Sequence, residues 1–286
     1  MHWQDVPDRL TGIAGVAGVA LGGSRARGEH AEDSDVDLGI YYRPPLDVTA
    51  LQRLADEVSE TPTRVTEPGG WGRWVDGGGW LRIGGMPVDW IYRDVDRVAR
   101  SCRDAVAGRF EWHFQVGHPL GFAGTTYAGE LAHGVLLADP AGELSALRST
   151  VAEFPPALRS AVLERLDEAR FLLGGAAKAV PRGDSAYVAA CLFRVVLLCV
   201  HALHAAAGRF VLNEKGAIAA AGRLPGAPGG FRRARPAGVL ARRGPPAQPR
   251  GGRGPPRRDG DPAALNRAAS GRLRRPCAGP GADNAP

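Results

Sequence analysis

Apolar and polar positions follow two periods along this chain, and the changes of period mark its segments. Residues 15–21 (GVAGVAL) are a short apolar run ending in Gly22-Gly23, the pattern of a strand that enters a turn. Residues 36–42 (VDLGIYY) read as a second strand. Residues 47–60 open with Asp47, suited to cap a helix, and then carry Leu51, Leu54 and Val58 at helical spacing. Residues 80–92 read as two strands joined at Gly84-Gly85, a hairpin signal, and 94–106 as a second Asp-capped helix. Between them, the glycine-rich residues 69–79 read as an irregular loop.

Farther on the period is helical. Residues 156–180 and 184–208 each support about six turns at 3.6 residues per turn. The second is apolar nearly all round, which predicts the buried centre of a helical bundle. From about residue 225 the pattern stops: arginine, proline, glycine and alanine dominate, with few large apolar residues. Such a segment cannot bury enough surface to offset chain entropy, which predicts disorder. The composition also matches GC-rich coding DNA read in a shifted frame. The expected organisation is an α/β (α+β) domain over 1–147, a helical domain over 148–224, and a disordered tail over 225–286 that is native or frame-shifted.

Charge changes this picture in one respect. The chain of 286 residues has a formal net charge of +6, but residues 225–286 hold thirteen arginines, no lysine and only three aspartates. That tail carries +10, so residues 1–224 carry about −4. The body has the charge of an ordinary, slightly acidic globular protein, and any nucleic-acid binding is expected through the tail alone. No run reads as long and apolar enough to span a bilayer, so no membrane partner is expected. The N-terminal MHWQDVPDRL carries acids where an export signal carries lysine or arginine, and a cytoplasmic location is expected. The four cysteines, Cys102, Cys191, Cys199 and Cys277, lack CxxC spacing and read as thiols without a disulfide or zinc role.

The chemistry concentrates in residues 21–42. Asp35 and Asp37 flank Val36, and on a strand side chains two apart share a face, about 7 Å apart. Two carboxylates on one face repel unless a positive charge lies between them or one binds a proton at a raised pKa. A divalent cation relieves the repulsion better, and oxygen ligands on a rigid strand suit Mg²⁺. Gly22-Gly23-Ser24 just before them lets backbone N–H groups approach an anion closely, with a helix expected to start after Ser24. Arg25 or Arg27 can add charge-assisted contacts.

Gly-Gly-Ser-Arg-Ala-Arg-Gly followed by Ser-Asp-Val-Asp-Leu resembles the signature of the DNA polymerase β-like nucleotidyltransferase superfamily, and is most similar to its small bacterial, aminoglycoside nucleotidyltransferase-like members. The match covers residues 21–91, and residues 135–144 (VLLADPAGEL) resemble a segment that often follows the catalytic region. The resemblance implies a small mixed-sheet catalytic core followed by a helical domain, with the acceptor bound between them. It implies that Asp35 and Asp37 bind two Mg²⁺ ions, and that Asp89, the best match for a third acid, holds the catalytic metal and helps deprotonate an acceptor hydroxyl. Gly23, Ser24 and Arg27 would hold a nucleoside triphosphate. Lys178 and Lys215, the two lysines of the chain, are candidates to reach its phosphates, with Lys178 preferred. The implied reaction moves a nucleoside monophosphate from an NTP to a hydroxyl acceptor, aminoglycoside-like by the resemblance. Rival readings are a toxin–antitoxin-type nucleotidyltransferase acting on RNA or protein, and a nucleic-acid-binding protein working through the arginine-rich tail.

Other residues carry less. His201 and His204 stand three apart on a helix and read as packing or helix-end histidines more readily than as a metal pair. Glu130 and Glu143 are candidate bases that spacing does not separate. Trp71, Trp74 and Trp80 read either as an acceptor-binding lid or as cover for the core edge. Oligomeric state is left open.

Overall fold

The computed structural model describes residues 2–28, 34–229 and 231, which belong to one compact unit spanning Met1–Ala241. The chain opens with α1 (Val6–Thr11), β1 (Val16–Leu21), α2 (Gly23–Ala26), β2 (Val36–Tyr42) and α3 (Val48–Val58). A hairpin of β3 (Gly78–Ile83) and β4 (Met86–Asp94) leads into α4 (Val95–Val106). A second hairpin, β5 (Trp112–Gln115) and β6 (His118–Ala123), precedes α5 (Thr126–His133), β7 (Val135–Ala138) and α6 (Glu143–Ser149). The helical part follows as α7 (Pro156–Glu164), α8 (Leu166–Ala179), α9 (Ser185–Ala206) and α10 (Ala217–Arg223). The boundary expected at 147/148 falls within α6, inside the compact unit. Beyond Phe231 the arginine-rich segment, with its expected disorder, lies outside the described residues.

The main sheet has the order β3-β4-β2-β1-β7, with β2 and β4 parallel and the other neighbours antiparallel. This is the mixed α/β architecture expected from the sequence, with a C-terminal run of helices. Alternation along the central strands assigns the two faces. Val36, Leu38 and Ile40 of β2 and Val88, Trp90 and Tyr92 of β4 pack with Val6 and Leu10 of α1 and with Leu51, Leu54 and Val58 of α3. Tyr41 and Ala20 face the other way, onto Val95, Val98 and Cys102 of α4 and Tyr127, Ala128 and Leu131 of α5. The two expected Asp caps are present: Asp47 accepts from Ala50 N at 2.9 Å, and Asp94 accepts from Asp96 N and Arg97 N.

Two expectations need correction, on the helices, and a third, on the 69–79 loop, gains detail. The helix over 156–180 is two helices, α7 and α8, which meet at Arg165. Residues 69–79 are tightly built. The Asp76 backbone is left-handed (φ 74°), and its buried carboxylate accepts from Tyr42 Oη at 2.8 Å and from Gly69 N at 2.9 Å. The Gln115 side chain holds the loop from the second hairpin, donating to Trp71 O and accepting from Trp74 N. Finally, α9 is not a buried bundle centre. Among the described residues it alone is long and apolar enough to cross a membrane, with a mean hydropathy of 2.1, contrary to the sequence reading that no run is; only 28% of that window is buried. The described partners α7, α8 and α10 cover one side, where Leu197, Leu198 and Val200 are buried. Tyr187, Leu192 and Phe193 on α9, and Phe171 (81% exposed) and Leu173 on α8, are left in solvent. A helix that is apolar all round is buried only when partners surround it. Near the middle of α9, Arg194 donates to Glu168 at 2.8 Å and lies 4.8 Å over the Trp112 ring.

Candidate active site

The parallel pairing of β2 and β4 sets Asp37 directly beside Asp89. Because Val36, Leu38, Val88 and Trp90 point into the core, the intervening Asp37, Gly39, Asp89, Ile91 and Arg93 point to the opposite face. There, with Tyr41, they line a cavity of about 440 Å³. Its far walls come from the Gly22-Gly23-Ser24 turn, Trp71, Glu130 of α5, and the 212–215 segment that joins α9 to α10.

Glycine at position 23 has a physical reason. Its backbone is left-handed (φ 63°), and a Cβ built there would lie 1.7 Å from Asp37 Oδ2. The carboxylate thus rests against the turn, and the turn is tied to the strand by Gly22 N donating to the carbonyl of Asp37 at 2.8 Å. The helix expected to start just after Ser24 is α2, a single turn that starts at Gly23. Arg25 serves the frame: its Nε and Nη2 donate to the carbonyl of Ser34, fixing the approach to β2. Arg27 donates to Gly23 O at 2.8 Å and lines the cavity.

Charge is concentrated and only partly compensated. Burial raises the pKa of Asp37; the negative charges of Asp35 and Glu130 add to the rise, and Arg93 and Arg27 offset part of it. Glu130 accepts from Arg93 Nε at 2.5 Å and Nη2 at 2.7 Å, a bidentate pair on the cavity wall. Burial works against the Arg93 charge, but Glu130 outweighs it and holds the guanidinium firmly protonated. Both oxygens of Glu130 are engaged by this fork, which argues against Glu130 as a base. Glu143, the other glutamate considered, pairs with Arg43 and does not line the cavity.

Of the predicted site residues, Asp37, Asp89, Gly23, Ser24 and Arg27 meet at this cavity. Asp35 is exposed just before β2; its charge is felt at Asp37, but it does not line the cavity. Among the described residues no group of three His, Cys, Asp or Glu side chains forms a metal-binding cluster, so the three acids expected to converge are an in-register pair with a third alongside. Lys178 is exposed in the last turn of α8 and lines none of the cavities described. Lys215 does line the site. No period or motif distinguished the two lysines, because which one arrives depends on how the chain leaves α9. Arg93 was also missed, although its place on the Asp89 face follows from counting by two along β4.

The tryptophans separate in the fold. Trp71 lines the cavity and stacks on Trp80 with ring centroids 4.6 Å apart, while Trp74 covers the core edge, stacked on His113 at 3.6 Å. His201 and His204 pack. Burial pulls His201 down to about 4 and also lowers His204, whose Nδ1 lies 2.8 Å from the carbonyl of Val200.

Comparison with known proteins bears mainly on the first third of the chain. Residues 2–93 match the family described as nucleotidyltransferase domain. No curated protein matches the chain. Among solved structures, a nucleotidyltransferase-like protein from Exiguobacterium sibiricum 255-15 is similar at 10% identity and a TM-score of 0.39, over 75% of this chain. The similarity spans 59% of the length of that protein. The segment that carries the glycine-serine turn, Asp37 and Asp89 is therefore the part of the chain that is similar to a nucleotidyltransferase domain.

Proposed function

We propose that the protein is a metal-dependent nucleotidyltransferase that moves a nucleoside monophosphate from an NTP to a hydroxyl acceptor. The observation that carries this reading is the register of Asp37 with Asp89, on one face, beside the Gly22-Gly23-Ser24 turn. The donor set fits a hard divalent ion: both groups are carboxylates, and Asp37 is under-compensated where it stands. Asp37 and Asp89 would hold Mg²⁺, with Asp35 within electrostatic reach of Asp37. When bound, the ion supplies charge neutralisation at the α-phosphate and at the departing pyrophosphate.

The protein's own residues bind and orient. Backbone N–H groups of the Gly22-Gly23-Ser24 turn and the Ser24 hydroxyl would receive the phosphates, with Arg27 and Lys215 adding positive charge. Asp89 would accept the proton of the acceptor hydroxyl, and Glu130 would hold Arg93 in place behind Asp37. Catalysis on this reading is positioning plus electrostatic stabilisation.

The test is pyrophosphate release with each NTP, with and without Mg²⁺, across hydroxyl acceptors. Acceptor-dependent release that falls at least hundredfold in Asp89→Asn, with the circular-dichroism spectrum unchanged, is the expected result. Undiminished release in that variant would remove the proposal.

A further inference from the structure

Beside the acid-bearing cavity lies a larger one of about 660 Å³, formed where α2, the end of α9, the 208–216 segment and α10 meet. The two share Arg27, Leu212, Asn213 and Lys215, so they communicate. Their charges differ. The first combines Asp37, Asp89 and Glu130 with Arg27, Arg93 and Lys215. The second is lined by Arg27, Arg209, Lys215 and Arg223, and none of its described lining residues is acidic. The acid nearest in sequence, Glu214, turns away to accept from Leu120 N at 3.0 Å on β6. His204, also in the wall, is held neutral by burial.

Four cations along one cleft, with no acid among its described lining, repel a polycation and attract a polyanion. A transfer site needs room for two substrates. The nucleotide is drawn to the cavity that holds Asp37, Asp89 and the glycine-serine turn, which leaves the basic cleft to the acceptor. We infer that the acceptor is polyanionic: a single-stranded nucleic acid whose backbone phosphates lie along Arg209 and Arg223, with a terminal hydroxyl directed past Lys215 toward Asp89. This replaces the aminoglycoside-like acceptor suggested by resemblance, since an aminoglycoside brings positive charge to a positive cleft. The role of the strand as acceptor rests on the transferase reading; its binding does not.

The experiment is fluorescence anisotropy of a labelled twelve-nucleotide single-stranded RNA, titrated with the full chain without NTP or metal. The wild type is compared with an Arg209→Glu/Arg223→Glu variant and an Arg209→Gln/Arg223→Gln variant. Both replaced side chains are exposed, and the arginine-rich tail is the same in each protein, so its contribution cancels. The expected result is a loss of affinity of threefold or more in the Glu variant and a smaller loss in the Gln variant. The slope of log affinity against log salt should fall by about 1.4, two single-strand phosphate contacts. A loss below threefold would overturn the inference by assigning the RNA to the tail. Full displacement of RNA by saturating ATP would overturn it too, by making the cleft a triphosphate site. Because no transfer is measured, absent pyrophosphate release counts against the proposed activity alone.

Discussion

Replacing Asp37 by Asn should abolish the proposed transfer and, without divalent metal, stabilise the fold. The carboxylate rests on the Gly23 turn, partly buried, and among the described residues no hydrogen bond reaches it. Burial, Asp35 and Glu130 all oppose its charge. Asp89 stands beside it across one strand spacing, about 4.8 Å. Two unit charges at that backbone spacing repel by about 0.8 kcal/mol in water and about 3 kcal/mol at an effective dielectric constant of 20. Since Asp37 faces an open cavity, a gain of about 1–2 kcal/mol is expected, raising the melting temperature by about 2–8 °C for a unit of this size. The assay is thermal unfolding in a chelator across pH. The wild-type carboxylate has a raised pKa in the folded state, so protonation relieves its repulsion as pH falls toward the ordinary value of 3.8. The advantage of the variant should therefore be full above the raised pKa and vanish at low pH. Added Mg²⁺ should stabilise the wild type and not the variant. A variant less stable than wild type in chelator at neutral pH would refute the argument that this carboxylate is held against its own electrostatics.

Gly23→Ala should lose both stability and transfer, because its left-handed backbone costs about 1–2 kcal/mol and its Cβ collides with Asp37. Gly28→Ala, equally left-handed but with nothing within 4 Å, should show only the backbone cost, and equal melting temperatures for the two would contradict the contact argument. Glu130→Gln should destabilise by about 3 kcal/mol in chemical denaturation, since it strands the buried Arg93 guanidinium; an Arg93→Leu/Glu130→Leu pair should recover part of the loss, and a neutral single variant would show that the pair is dispensable. His201, pulled down to about 4, should make stability fall as pH drops from 6.5 to 4, by up to about 3 kcal/mol, because the unfolded chain takes a proton that the folded one refuses; His201→Phe should flatten that slope, and an unchanged slope would assign it elsewhere. Phe171→Glu with Phe193→Glu should reduce concentration-dependent association in sedimentation, since both rings stand in solvent on the uncovered faces of α8 and α9; association unchanged by the pair would show that those faces are inert.

Local sequence determined the strands and caps that build the site. Alternation in VDLGIYY and PVDWIY puts each aspartate on the face opposite its apolar neighbours, and Asp47 and Asp94 announce their helices, because these effects act within a few residues. The glycine requirement at 23 was legible as a turn, but its cause, the Asp37 carboxylate lying where a Cβ would go, exists only once β2 has folded back on the turn. What tertiary structure alone decided is everything that depends on partners distant in the chain. Register sets Asp89 beside Asp37 and leaves Asp35 outside the cavity; the path after α9 brings Lys215 to the site and leaves Lys178 in solvent; and the uncovered side of α9 turns an apolar pattern into an exposed face. A hydrophobic period states which side of an element seeks cover, whereas the cover itself is supplied, or withheld, by the rest of the fold.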